Sequence, residues 1–97
     1  MSEISHVILY SKDNCGYCVK AKSLLNNLGL TYTEKKLENF LTTEALFEDI
    51  GKNVKSMPQI KINGELIGGY NQLIEYLIDK RLVNFKGEKI DHAGEVI

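Results

Sequence analysis

Both cysteines of this 97-residue chain fall in one tetrapeptide, Cys15-Gly16-Tyr17-Cys18, and its flanks constrain the fold more than any other feature. The run before it, His6-Val7-Ile8-Leu9-Tyr10, is strand-like. An amphipathic helical pattern starts inside it, with Cys18, Ala21, Leu25 and Leu28 recurring at helical spacing. Cysteines at i and i+3 on the first turn of a helix can close into a disulfide and reopen with little backbone movement. The free N–H groups and positive dipole end of that turn stabilise a thiolate, which is the nucleophilic form of cysteine.

The remaining elements follow from the same kind of pattern. Lys12-Asp13-Asn14 reads as a polar loop with Asn14 as N-cap of the first helix, and Gly29 as the stop at its far end. Thr31 to Leu37, rich in threonine and tyrosine, reads as a second strand, so the first helix lies inside a βαβ unit with a parallel strand pair. Thr42 to Ile50 forms a second helix with Leu46, Phe47 and Ile50 apolar, and Gly51 ends it. Gln59-Ile60-Lys61-Ile62 alternates as a strand does. Asn63-Gly64 is a strong hairpin signal, with Glu65 to Gly68 returning. A third helix starts near Asn71, with Leu73, Ile74, Leu77 and Ile78 on its inner face. The expected order is β-α-β-α-β-β-α over residues 4–82, with 83–97 as an appended tail of the same single domain.

Composition narrows the function classes. A formal net charge of −1 gives no general attraction to nucleic acid or anionic membranes. No apolar stretch approaches the length of a membrane span. Met1-Ser2-Glu3-Ile4-Ser5 lacks the basic start and apolar run of a secretory signal, so a reducing compartment, the cytoplasm, is expected. A disulfide there is transient and catalytic rather than structural. A structural zinc site would need four ligands. Beyond the two cysteines only His6 and His92 are ready donors, one in the first strand and one in the tail, so no metal site is expected.

The C-x-x-C after a strand and opening a helix is a thioredoxin-like redox motif. With Met57-Pro58 before the third strand and Gly68-Gly69 after the fourth, the chain resembles the glutaredoxins over about residues 4–82. The resemblance implies a thioredoxin-like α/β fold, a four-stranded mixed sheet flanked by three helices. It implies an oxidoreductase that acts as a monomer, with glutathione as reductant and protein disulfides or glutathione mixed disulfides as substrates. Cys15 would be the exposed nucleophile, its pKa below the ordinary thiol value, and Cys18, on the apolar stripe, the buried resolving thiol. Lys12 resembles the lysine that holds a glutathione carboxylate, and Tyr17 the aromatic that lines the glutathione site. Pro58 matches a cis-proline, which would aim the Met57 backbone at the bound thiol peptide. Gly69, Asn71 and Gln72 match the segment that receives the γ-glutamyl end, where backbone comes close and a helix start favours a carboxylate.

Read singly, each residue has a plainer role: Lys12 a surface lysine, Tyr17 simple packing, Pro58 an edge-strand proline in trans. Three departures from the family pattern stand out. Gly16 replaces the proline common in the dithiol class, Ser56-Met57-Pro58 replaces Thr-Val-Pro, and Asn71 stands where aspartate is frequent. Two further functions belong to the same resemblance. One is a carrier bridging a [2Fe–2S] cluster across a dimer with two glutathiones, which the glycine after the first cysteine suggests. The other is a dedicated electron donor to ribonucleotide reductase.

Overall fold

The computed structural model describes residues 4–84. Strand β1 (Val7–Ser11) leads into helix α1 (Gly16–Asn27), followed by β2 (Thr33–Lys36), α2 (Thr43–Ile50), the hairpin β3 (Gln59–Ile62) and β4 (Glu65–Gly68), and α3 (Tyr70–Asp79). The expected β-α-β-α-β-β-α order is the observed one. The four strands form one mixed sheet in the order β2-β1-β3-β4. β1 runs parallel to β2 and antiparallel to β3, and β3 runs antiparallel to β4.

Strand alternation explains how three helices cover this sheet. Val7 and Leu9 point to one face, where they join Ala21, Leu25, Ile60, Ile62, Leu73 and Leu77 in a core shared by α1 and α3. Tyr10 points to the other face and packs with Leu46 and Ile50 of α2, and Ile8 packs against the same group. β1 is thus buried on both faces, as a central strand between two helical layers must be. The hairpin turn takes the left-handed conformation at both central residues, φ 54° at Asn63 and φ 86° at Gly64. That is the backbone which Asn-Gly supplies at low cost.

Three boundaries differ from the sequence reading. The second strand is shorter than 31–37: Tyr32 packs against the core before it begins, and Leu37 to Asn39 coil into a single 3₁₀ turn. Only Thr33 to Lys36 find partners on β1, from Ile8↔Thr33 to Ser11↔Lys36. The core also reaches past residue 82, because Val83 is 1% exposed and belongs to the α1–α3 cluster. The rest of the expected tail, 85–97 with His92, lies outside the described residues.

A polar staple fixes α2 to its face of the sheet. The buried Tyr10 hydroxyl donates to Asp49 Oδ2 at 2.6 Å, and Lys35 Nζ meets the same oxygen at 2.9 Å. Lys61 Nζ donates to the Asp49 carbonyl at 2.7 Å, which satisfies a helix C-terminal acceptor. The Tyr10 bond, then Lys35, hold the Asp49 carboxyl below its ordinary range. Burial, then the Asp49 bond, push the Tyr10 phenol above its own.

The signs are opposite. Asp49's contribution is full above the ordinary carboxylate value and is lost as pH falls through its lowered native value. Tyr10's is full below the ordinary phenol value and is lost as pH rises towards its raised native one. Tyr10→Phe is expected to cost about 1–2 kcal/mol at neutral pH and to flatten the fall of stability at both extremes. Urea unfolding of the two proteins across pH checks this, and parallel curves would refute the coupling.

Candidate active site

The loop before α1 is built to present Cys15. Asn14 is not the N-cap: it takes a left-handed conformation, φ 57°, which asparagine tolerates. Cys15 itself is the cap residue, with extended backbone (φ −122°, ψ 105°) and Sγ accepting the Cys18 N–H at 3.2 Å. The cap shifts by one residue because the turn needs a left-handed residue just before it, and a sulfur then reaches the N–H three positions on. Long-range contacts hold the loop. The Asp13 N–H donates to Glu38 Oε2 at 2.7 Å, and Lys36 Nζ pairs with Asp13 at 3.1 Å. The fully buried Ser11 donates to Glu34 Oε2 at 2.6 Å, and Lys22 pairs with that same oxygen at 3.0 Å. The Ser11 bond, then Lys22, hold the Glu34 carboxyl below its ordinary range.

Cys15 and Cys18 are joined as a disulfide with Cα atoms 5.2 Å apart, well inside the usual span. Cys18 is fully buried, as its place on the apolar stripe implies, whereas Cys15 is half-buried rather than exposed, because the chain at Met57 lies against its sulfur. The Met57–Pro58 bond is cis. The Met57 carbonyl lies 3.6 Å from Cys15 Sγ, and in the dithiol state a Cys15 S–H has that oxygen as an acceptor.

Six of the seven residues expected to bind glutathione come together. Tyr17, Met57, Pro58, Gly69, Asn71 and Gln72 line one groove of about 330 Å³. Lys12, exposed, lies instead in a second groove with Cys15, Val19 and Lys36. A further groove, about 560 Å³ along α2 beside Phe47 and Lys52, has no cysteine in its wall.

Sequence reasoning missed two parts of the first groove, Ser56 and Tyr70. The Tyr70 ring packs on Tyr17 at 5.7 Å between centroids, and Lys20 Nζ sits 5.2 Å from the Tyr17 ring centre. The signal was present in the aromatic that follows Gly68-Gly69.

The start of α3 also corrects a detail. Gly68, at φ 126°, needs to be glycine, and a Cβ there would stand 3.0 Å from Gln72 Cγ. Gly69 has ordinary extended backbone, and its N–H donates to Gln72 Oε1 at 3.0 Å. The first i→i−4 bond runs from the Leu73 N–H to the Gly69 carbonyl, so the N–H groups of Tyr70, Asn71 and Gln72 precede the helical ladder at the groove.

A strand-to-helix turn whose sulfur caps the helix, beside a groove edged by the main-chain N–H groups that open α3, is suited to holding a peptide thiol against Cys15. Comparison with known proteins agrees with that geometry. The glutaredoxin family model matches residues 7–67. The chain belongs to the glutaredoxin family. Glutaredoxin 1 of Rickettsia felis is 35% identical over 94 residues, covering 91% of each chain. Glutaredoxin 3 of Escherichia coli is 33% identical over 79 residues, 80% of this chain and 90% of that one.

Among solved structures, reduced Escherichia coli glutaredoxin superposes with a TM-score of 0.68 at 26% identity, over 79% of this chain and 98% of that one. A buckwheat glutaredoxin–glutathione complex superposes with 0.64 at 30%, over 78% and 71%. The fold is therefore thioredoxin-like, and with its Cys15/Cys18 dithiol this glutaredoxin is a thiol–disulfide oxidoreductase. Among the described residues no group of three or more His, Cys, Asp or Glu could hold a metal ion.

Gly68→Ala is expected to cost about 1–3 kcal/mol from left-handed backbone strain, whereas Gly69→Ala is near neutral. Thermal unfolding of the two variants checks this, and equal losses would place the conformational demand elsewhere.

Proposed function

We propose that this protein is a glutathione-dependent reductase of protein disulfides and glutathione mixed disulfides, acting as a monomeric single domain in the cytoplasm. The observation that carries the reading is the position of Cys15 Sγ. It lies between a helix N-terminal donor at 3.2 Å and, at 3.6 Å, the carbonyl of Met57, which lines the groove together with Tyr17, Asn71 and Gln72.

Ionised, Sγ keeps the Cys18 N–H bond, which strengthens when its acceptor carries charge. The thiolate attacks the glutathione sulfur of a mixed disulfide, and the protein thiolate leaves. Glutathione, now on Cys15, runs along Met57 as an added strand held by main-chain hydrogen bonds. Its γ-glutamyl carboxylate faces the N–H groups that open α3, and the positive end of the helix favours it. Lys12, from the other groove at Cys15, is the cation for the opposite carboxylate. Either a second glutathione attacks the bound glutathione's sulfur, forming glutathione disulfide and freeing the Cys15 thiolate, or Cys18 attacks Cys15 Sγ, closing the Cys15–Cys18 disulfide and releasing glutathione.

Cys15→Ser is expected to abolish all activity yet keep the fold, because a serine hydroxyl caps the same N–H. Cys18→Ser is expected to keep deglutathionylation and lose most dithiol-dependent disulfide reduction. Coupled assays with glutathione and glutathione reductase, on both substrate types, test this. An active Cys15→Ser protein would reverse the assignment.

Lys12→Glu is expected to slow alkylation of Cys15 at neutral pH about threefold, the size of an exposed charge effect, and to weaken glutathione binding. An unchanged pH profile of alkylation would remove Lys12 from the site.

A further inference from the structure

The groove beside Met57 meets a second one, of about 520 Å³, at the start of α3, and Ser56, Gly69 and Gln72 line both. The two halves differ in charge. Every side chain lining the near half is neutral at pH 7, and the first turn of α3 contains no acidic residue. An ammonium there meets no carboxylate, and it faces the positive end of a helix dipole.

The far half is lined by Lys52 and Lys55 and by no acidic side chain. Unlike Lys22, Lys35 and Lys36, these two lysines have no ion-pair partner among the described residues. Lys55 stands two residues before Met57, so their Cα atoms are at most about 7 Å apart. An extended ligand with its sulfur on Cys15 and its arm along Met57 is long enough to bring its far end there.

We propose that the joined grooves take low-molecular-weight thiols whose arm next to the sulfur is uncharged and whose far end is a phosphate, as in phosphopantetheine. Protein mixed disulfides with such thiols are then substrates alongside those with glutathione. This rests on Cys15 as the nucleophile of the proposed reaction and widens its substrate class. The arm's two amides suit the Met57 main chain and the Asn71 and Gln72 amides, and the phosphate suits Lys52 and Lys55.

In the reaction, the Cys15 thiolate attacks the sulfur of the phosphate-bearing thiol. The mixed S–S bond breaks, and the protein thiolate leaves and takes a proton from water. Cys18 then gives up its proton and attacks Cys15 Sγ, which closes the Cys15–Cys18 disulfide and frees the small thiol. Two electrons pass from the dithiol to the mixed disulfide.

The test is single-turnover reduction, by prereduced full-length protein, of one cysteinyl peptide carrying glutathione, 4′-phosphopantetheine or pantetheine. The phosphopantetheine adduct is expected to react within about threefold of the glutathione adduct and about fivefold faster than the pantetheine adduct at low salt. The advantage over pantetheine should shrink at 0.5 M salt, which screens exposed charges.

The double variant Lys52→Gln/Lys55→Gln should erase that advantage while leaving the pantetheine rate, which reports an intact fold and dithiol, unchanged. Equal rates for the two pantetheine adducts in the wild type, or an advantage that survives in the double variant, overturns the proposal. Failure to reduce the glutathione adduct, or reduction by Cys15→Ser, overturns the underlying reading instead.

Discussion

The bond from the Cys18 N–H to Cys15 Sγ ties the chemistry of this protein to its architecture. The sulfur proposed as nucleophile is also the acceptor that caps α1, so its position is set by the start of the helix and not by a flexible side chain. A sulfur at an N-cap meets donors already aligned and left free by helix geometry. A thiolate is a better acceptor than a thiol, so the helix favours the reactive form. Cys18, three residues on, faces the interior because the same helix buries the stripe of Ala21 and Leu25 against the sheet. One short motif thus gives an accessible sulfur and an inaccessible one within disulfide reach of each other.

Everything around that turn serves to hold it in register with Met57. β1, buried on both faces, carries Ser11 to the edge of the loop, and Ser11 bonds to Glu34 on the neighbouring strand. Lys36 and Glu38 grip Asp13 from the end of β2 and the turn beyond it. On the other side of β1, the antiparallel pairing Tyr10↔Gln59 sets where β3 begins, and the cis Met57–Pro58 bond immediately precedes it. The Tyr10–Asp49 staple then locks α2 over that face. The ion pairs are partly exposed and individually weak. Their use is geometric, since they converge on one short loop and on one end of the sheet.

The order of elements, the redox motif, the hairpin at Asn63-Gly64 and the stop at Gly51 were legible in the residues because each depends on local physics. Helical spacing, strand alternation, turn propensity and the left-handed tolerance of glycine act over a few positions. The errors also have local causes. Thr31 to Leu37 has strand composition throughout, but only the residues opposite β1 pair. Asn14 is a good N-cap by type, yet the turn required it in a left-handed conformation one residue too early. The stretch after Leu82 loses its apolar period, yet Val83 fills a place in the core.

What the sequence by itself determined is therefore the set of parts: a dithiol at a strand-to-helix junction, a proline before a strand, a glycine pair before a helix, and the faces that must be buried. Only the tertiary structure decided how these parts meet. It set Met57 against Cys15 from 42 positions away, gathered Tyr17 and Tyr70 into one aromatic wall, and put Lys12 in a different groove from the other candidate ligands. It also left Lys52 and Lys55 beside the groove without ion-pair partners among the described residues, while pairing Lys35 and Lys36. The reason is physical. Local pattern fixes backbone conformation and burial, whereas the juxtaposition of distant side chains follows from strand register and from the hand of the crossover, which no short window of residues contains.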